Sequence, residues 1–231
     1  MSTSIKKFRK SKWLGYRDSH LLEICKNKKI VHFGCTDWPY QIEQIANGNL
    51  LHSKLINTAN SVIGIDVDSE GIAELQRTYK DHLFIEGDIS TSESTKNEIL
   101  KFKPDILLIP DVIEHIENSR LFLSAINELM KKTKCIAVIT TPNANSLKTF
   151  LPVFFNLDFT HPDHCLLHNE FTITHVLKDS DVKISEINYL SRDIAPKYGV
   201  ILKILSLPID LISRFLPRFS DTIIVVTEEL E

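Results

Sequence analysis

Glycine is scarce, with seven in 231 residues. A loop that wraps a pyrophosphate needs several in close succession, because only glycine takes positive φ freely and lets backbone approach a ligand without a Cβ. The best candidate turn is "IVHFGCTDWPY", Ile30 to Tyr40, where Gly34 is followed by Cys35, Thr36, Asp37, Trp38 and Pro39. That spacing disfavours a nicotinamide-dependent dehydrogenase. The cysteines are few as well: Cys25, Cys35, Cys135 and Cys165 show no paired spacing, so a reduced, cytoplasmic protein is expected rather than a disulfide framework. No uninterrupted apolar run reaches the roughly 18 residues of a membrane span, and the N-terminus lacks an apolar signal core. Strong charge of either sign is missing too. A net charge of -3 gives no general attraction to nucleic acid or to anionic surfaces. The N-terminus alone is basic (Lys6, Lys7, Arg9, Lys10, Lys12, Arg17), and reads as a solvated helix or as an arm that touches phosphates.

What is present is alternation. Short β-rich runs at 29–34, 61–66, 82–87, 105–110, 135–141, 183–190 and 222–228 read as strands, several of them apolar on both faces. Helical stretches lie between them, near 40–56, 69–80, 92–102, 117–132 and 170–179. This order predicts a doubly wound α/β domain with a mainly parallel sheet and helices on both faces. One domain over 1–231 is expected, with residues 1–28 as a helical cap and 191–220 as a helical insertion or lid in which Pro208 divides two short helices. Two readings of that apolar insertion stand. It packs over the sheet edge or active site, or residues 198–216 form an amphipathic patch for a membrane surface or an apolar substrate.

In such sheets ligands bind at the carboxyl ends of the strands. Gly34 follows the first strand, Asp66 ends the second, Asp88 follows the third, Asp111 the fourth, and "TTPNANS" the fifth. A carboxylate after the second strand suits a ribose diol, since it accepts from both hydroxyls. One after the third suits an exocyclic adenine amine. Any one of these alone is an ordinary cap or turn residue; several in register point to a nucleoside. Asp68 is expected to cap a helix, and Gly64 and Gly71 to accommodate close backbone.

These segments, "SVIGIDVDSEGIAEL", "FIEGDI", "PDILLIPDVIEHIEN" and "AVITTPNANSL", together resemble the successive motifs of class I S-adenosylmethionine-dependent methyltransferases. Among these the small-molecule group that includes the ubiquinone-biosynthesis O-methyltransferases is the nearest, with a likeness also to methyltransferases of saccharide pathways. The resemblance implies a seven-stranded Rossmann-like sheet with the last strand inserted antiparallel. It implies that Gly34, Cys35, Thr36 and Asp37 meet the methionine half of S-adenosylmethionine. Asp66 would hold the ribose, with Val67 beside it; Asp88 and Ile89 would face the adenine; Asp111 and Val112 would line the cofactor near its methyl group. The family's loop reads G-x-G-x-G with an acidic residue two positions before the first glycine. Here Thr36 and Trp38 replace the later glycines and His32 replaces the acid, so Asp37 is the candidate for the missing negative charge.

A base is expected beside the fourth and fifth strand ends, where His115 in "DVIEHIEN" is the first candidate and His164 in "THPDHCLLHNE" lines the pocket. His164 and His168 would share one face of a helix. Glu114, His115 and His164 also resemble the carboxylate–histidine set of metal-assisted O-methyltransferases and small-RNA 2′-O-methyltransferases, so a divalent ion is an alternative to a metal-free base. The expected activity is methyl transfer to a small-molecule or glycan acceptor, O-methylation before N-methylation, without a nucleic-acid partner. The competing reading is a catalytically silent scaffold or cofactor-sensing protein.

Overall fold

The computed structural model describes residues 10–157, 161–192 and 208–229. Its centre is an eight-stranded sheet in the order β1-β7-β8-β6-β5-β2-β3-β4. The strands are β1 (Trp13–Tyr16), β2 (Lys29–Phe33), β3 (Ser61–Asp66), β4 (Leu83–Glu86), β5 (Ile106–Pro110), β6 (Ile136–Pro142), β7 (Ile184–Ser191) and β8 (Thr222–Thr227). β8 runs antiparallel to both β6 and β7, and the other pairs are parallel.

The strand count corrects the expected seven. The extra strand, "WLGY", lies in the segment read as purely helical and pairs in parallel with β7, Trp13 opposite Tyr189. Four residues with a glycine at φ +100 carry no usable period, and only β7's open edge makes them a strand. Helix α1 (Arg17–Cys25) follows directly; residues 1–9 of the expected cap lie outside the described residues.

The stretch read as one helix near 40–56 is two, α2 (Gln41–Ala46) and α3 (Leu51–Ile56). Gly48 at φ +64 sits in the break, where a left-handed residue ends a helix. Helices α4 (Ser69–Thr78), α5 (Glu93–Phe102), α6 (Ser119–Thr133) and α8 (Glu170–Asp179) fall where periodicity placed them. Asp68 caps α4 by accepting from the Gly71 N–H. A short helix α7 (Leu147–Val153) follows β6. Of the 191–220 insertion, residues 208–215 are helical, and the helix expected before Pro208 lies outside the described residues.

Alternation along the strands splits the core. Val31, Phe33, Ile63, Leu107, Ile109 and Ala137 face one side, against α5, α6 and α8. Ile30, Val62, Ile106, Leu108 and Val138 face the other, against Leu21 and Cys25 of α1 and Leu51 and Leu55 of α3. The chain runs β2 to β4 toward one edge, then returns to β5 on the other side of β2. The strand order therefore reverses between β2 and β5, where such sheets form their ligand crevice.

Leu21 is wholly buried and anchors α1, so Leu21→Ala is expected to lose about 2–5 kcal/mol. A urea melt showing an unchanged midpoint would mean that α1 is not part of the folded unit.

Candidate functional site

The switch point brings the first turn and the end of β5 into contact. Gly34 has φ +71 and donates to the Ile65 carbonyl at 2.9 Å. A Cβ there would stand 2.5 Å from Cγ2 of Val112, so glycine is required by both conformation and space. Thr36 then turns inward. Its N–H and its hydroxyl both donate to Oδ2 of Asp66, at 3.0 and 2.9 Å, while the Asp68 N–H donates to Oδ1 at 3.1 Å. Thr36 thus ties the turn to the end of β3, and the Asp66 carboxylate keeps one lone-pair site, on Oδ1, for a further donor. Val67 beside it is 70 % exposed. Asp88 is exposed, its Oδ1 accepting from the Ser90 N–H at 2.8 Å.

Two of the expected contacts have a different setting. The Cys35 thiol is buried with Leu50, Ile72, Leu75 and Phe84, so Cys35 offers a ligand its backbone only. Ile89 is packed in the main core and covered by protein, which leaves Val67 as the exposed apolar side chain at these strand ends.

Asp111 is the charge centre of the cleft. It adopts φ +52 and takes a hydrogen bond from Thr140 Oγ1 at 3.0 Å. Arg17 of α1 reaches its Oδ2 at 2.9 Å, and Arg192, just past β7, pairs with the same oxygen. Burial pushes the Asp111 pKa up, but the two guanidiniums and the threonine bond outweigh it and hold it below the usual carboxylate range. Arg17 also pairs with Asp18 at 2.7 Å, and Asp18 with Lys54 at 3.1 Å. Asp37, at φ +56 ahead of a cis Trp38–Pro39 bond, belongs to this field. Desolvation raises its pKa to about 6, with Arg17 and Arg192 opposing and Asp111 reinforcing. The residue as a whole is exposed, so solvent screens part of that rise.

Arg17 and Arg192 were not singled out from the sequence. Ninety-four residues separate Arg17 from Asp111, and no local pattern links them. One signal existed: a cation as the first residue of α1, after a Tyr16 N-cap that gives no side-chain bond, opposes the helix dipole and calls for a compensating anion.

His32, which stands where the family has an acid, is not in the cleft. It lies 2 % exposed on the α3 side of the sheet, its Nδ1 3.0 Å from Nδ1 of His52, the rings stacked. One ring donates and the other accepts, and burial keeps both neutral. Burial, His52 and then Arg17 hold the His32 pKa well below the ordinary value, and burial brings His52 down to about 3. A neutral His32 does not repel a cofactor ammonium.

Beyond Asp111, residues Ile113–His115 form a 3-10 turn. Glu114 is buried: Oε2 accepts from Thr141 Oγ1 at 3.1 Å, while Oε1 has no partner among the described residues. Burial and then Asp111 raise its pKa to about 8. Its carbonyl takes the N–H groups of Cys165 and Leu166, at 3.0 and 3.1 Å, which docks the histidine segment on this turn. The His115 Nδ1 lies 3.1 Å from the Asp163 carbonyl and must donate to it, so in the singly protonated ring Nε2 is the acceptor. The His115 and His164 ring centroids are 4.8 Å apart, and ligand atoms of Glu114, His115 and His164 all lie within 4.8 Å of one another. Burial and then His115 lower the His164 pKa to about 4.

The expected helix face shared by His164 and His168 is corrected. The segment is not helical: it turns at His161, where the His164 N–H bonds to the His161 carbonyl at 3.1 Å, the Cys165 and Leu166 N–H groups bond to the Glu114 carbonyl, and His168 is buried in a bridge to Asn143. Tyr40 caps α2 and stacks edge-on near His161, while Trp38 is exposed.

With that geometry in hand, the chain can be set beside known proteins. No family model matches it, and no curated protein does. Solved structures do. The N-methyltransferase NodS of Bradyrhizobium japonicum, with bound S-adenosylhomocysteine, aligns at TM-score 0.53 and 12% identity over 93% of this chain and 86% of its own. A magnesium protoporphyrin IX methyltransferase of Synechocystis PCC 6803, also with S-adenosylhomocysteine, gives 0.54 and 15% over 91% and 80%. A small RNA methyltransferase gives 0.57 and 17% over 93% of this chain, which spans 25% of that longer protein. The fold is therefore that of the class I S-adenosylmethionine-dependent methyltransferases. Among the described residues no helix is long and apolar enough to cross a membrane.

The neutral His32–His52 pair makes stability acid-sensitive. Histidine pKa values depressed on folding mean that the unfolded state binds protons first. Their contribution is complete above the ordinary value near 6.5 and drains as pH falls toward the His52 value of about 3. Urea midpoints should drop between pH 7.5 and 5, and the His32→Leu/His52→Phe double variant should show a flatter profile; parallel profiles would place the acid sensitivity elsewhere.

Proposed function

We propose that this protein binds S-adenosylmethionine at the β2–β5 switch point and transfers its methyl group to a small-molecule or glycan acceptor, most readily at oxygen. The observation that carries this reading is the cluster of Arg17, Asp37 and Asp111 around the Gly34–Val112 contact. The methionine half of the cofactor is a zwitterion. A guanidinium beside two carboxylates can meet its carboxylate and its ammonium together. On this reading Asp66 takes the ribose, with the exposed Val67 beside it, and Asp88 takes the adenine amine.

When bound, the cofactor supplies an electrophilic methyl group. The chain's own task is to align an acceptor and take its proton. His115 fits the proton-accepting role, because the Asp163 carbonyl fixes Nδ1 as donor and turns Nε2 into the acceptor. His164, with its lowered pKa, stays neutral beside it and lines the acceptor pocket. A catalytically silent scaffold is disfavoured on this reading, since the loop's lost glycines are matched by Thr36–Asp66 bonds and by Asp37.

A second reading has its own observation. Buried Glu114, whose Oε1 has no partner among the described residues, together with His115 and His164 offers one carboxyl, which gives up its proton on binding a cation, and two imidazoles at chelating separation. A divalent ion held there would lower the pKa of an acceptor hydroxyl. Calorimetric titration of the EDTA-dialysed protein with Mg²⁺, Mn²⁺ and Co²⁺ is the check. Binding that Glu114→Gln abolishes supports the metal; no heat from any ion leaves His115 as a metal-free base.

Calorimetry with S-adenosylmethionine and S-adenosylhomocysteine tests the main reading. Asp66→Ala is expected to weaken both by about tenfold or more, the size of a lost charge-assisted hydrogen bond. Absence of binding at millimolar cofactor would hand the case to the scaffold. Affinity should also fall as pH drops through about 6, where Asp37 protonates, and Asp37→Asn should remove that dependence; an unchanged pH profile would mean that Asp37 does not hold the ammonium.

A further inference from the structure

Two segments beside the sheet edge present their side chains inside out. In helix 208–215 the polar residues Asp210 and Ser213 are 8 % and 1 % exposed, while Leu211, Ile212 and Phe215 face outward, Phe215 at 78 %. Helix α7 and its exit repeat the inversion: α7 buries no residue, and Phe154 and Phe155 are 71 % and 76 % exposed, with Phe150 and Val153 exposed before them. Lys148 clamps the two helices together from below. Its ammonium lies 3.5 Å from Asp210 and 2.8 Å from Asp221, and Asn143 donates to the carbonyls of Arg218 and Ser220. Polar groups thus hold the helices to the protein, and large apolar side chains, phenylalanine above all, point away from it. A surface built for water has the opposite arrangement.

We propose that this face docks on an anionic lipid bilayer. Charge selects that occupant. From Arg192 to Ser220 the sequence carries Arg192, Lys197, Lys203, Arg214 and Arg218 against Asp193 and Asp210; with Arg192 paired to Asp111 and Arg218 to Glu170, the cationic excess rests on Lys197, Lys203 and Arg214. Asp210 is spent on Lys148, and exposed Arg214, over the Trp13 ring at 4.8 Å, stands beside Phe215. Exposed phenylalanine and leucine next to arginine are what an interfacial helix places at the headgroup–acyl boundary. A second copy of this chain would instead set arginine against arginine about a two-fold axis.

Docking needs neither cofactor nor acceptor, so its test stands apart from methyl transfer. The full chain is sedimented with vesicles of equal phosphatidylglycerol and phosphatidylcholine, and with phosphatidylcholine alone. Binding to the anionic vesicles and little to the neutral ones is expected. The Phe154→Glu/Phe215→Glu variant should bind about tenfold more weakly with an unchanged melting temperature, and Arg214→Glu should lower binding to the anionic vesicles. No binding, or equal binding to both vesicles, overturns the proposal. So does a dimer in sedimentation velocity that the double variant disperses, or a drop in melting temperature without loss of vesicle binding, which would show the face covered by the chain itself.

Discussion

The cleft is organised by one buried anion. A carboxylate taken out of water is costly unless cations and hydrogen bonds replace the solvent. Asp111 meets that demand with Arg17, Arg192 and Thr140, drawn from three different parts of the chain. Satisfying it fixes where α1 begins, where β7 ends and how the β5 turn is held. The same arrangement explains β1. A chain that must deliver Arg17 to the sheet's carboxyl edge passes β7 on the way, and its preceding residues take up that strand's open edge.

Three departures from the usual loop then fit together. Thr36 supplies two bonds to Asp66 in place of flexibility, which stiffens the turn that glycines would have loosened. His32 lies outside the cleft and pairs with His52. Asp37 brings a carboxyl group to the field of Arg17 and Asp111. The loop is rebuilt with side-chain bonds, and Gly34 is kept because Val112 leaves no room for a Cβ.

The fold was legible wherever hydrophobic period decided the matter. Strands buried on both faces and helices with a clear apolar face fell close to their expected places, since period depends only on neighbours in sequence. The acidic residues at strand ends were legible for the same reason: each sits at a fixed offset from a readable strand. Failures came where the deciding partner was remote. β1 exists through β7, and the histidine segment is held out of a helix by the Glu114 carbonyl; the break at Gly48 in the helix near 40–56 is the exception, a short-range signal that the apolar pattern masked.

The sequence by itself determined the alternation of elements, the positions of Gly34, Asp66, Asp88 and Asp111, and the apolar character of the 191–220 stretch. Tertiary structure alone decided which charges meet. Arg17 joins Asp111, His32 joins His52, and Glu114, with an oxygen that has no partner among the described residues, comes beside His115 and His164. It also decided that Phe154 and Phe215 face outward. Hydrophobic pattern is a local code, whereas the pairing of buried charges depends on distances set only when remote strands are laid side by side.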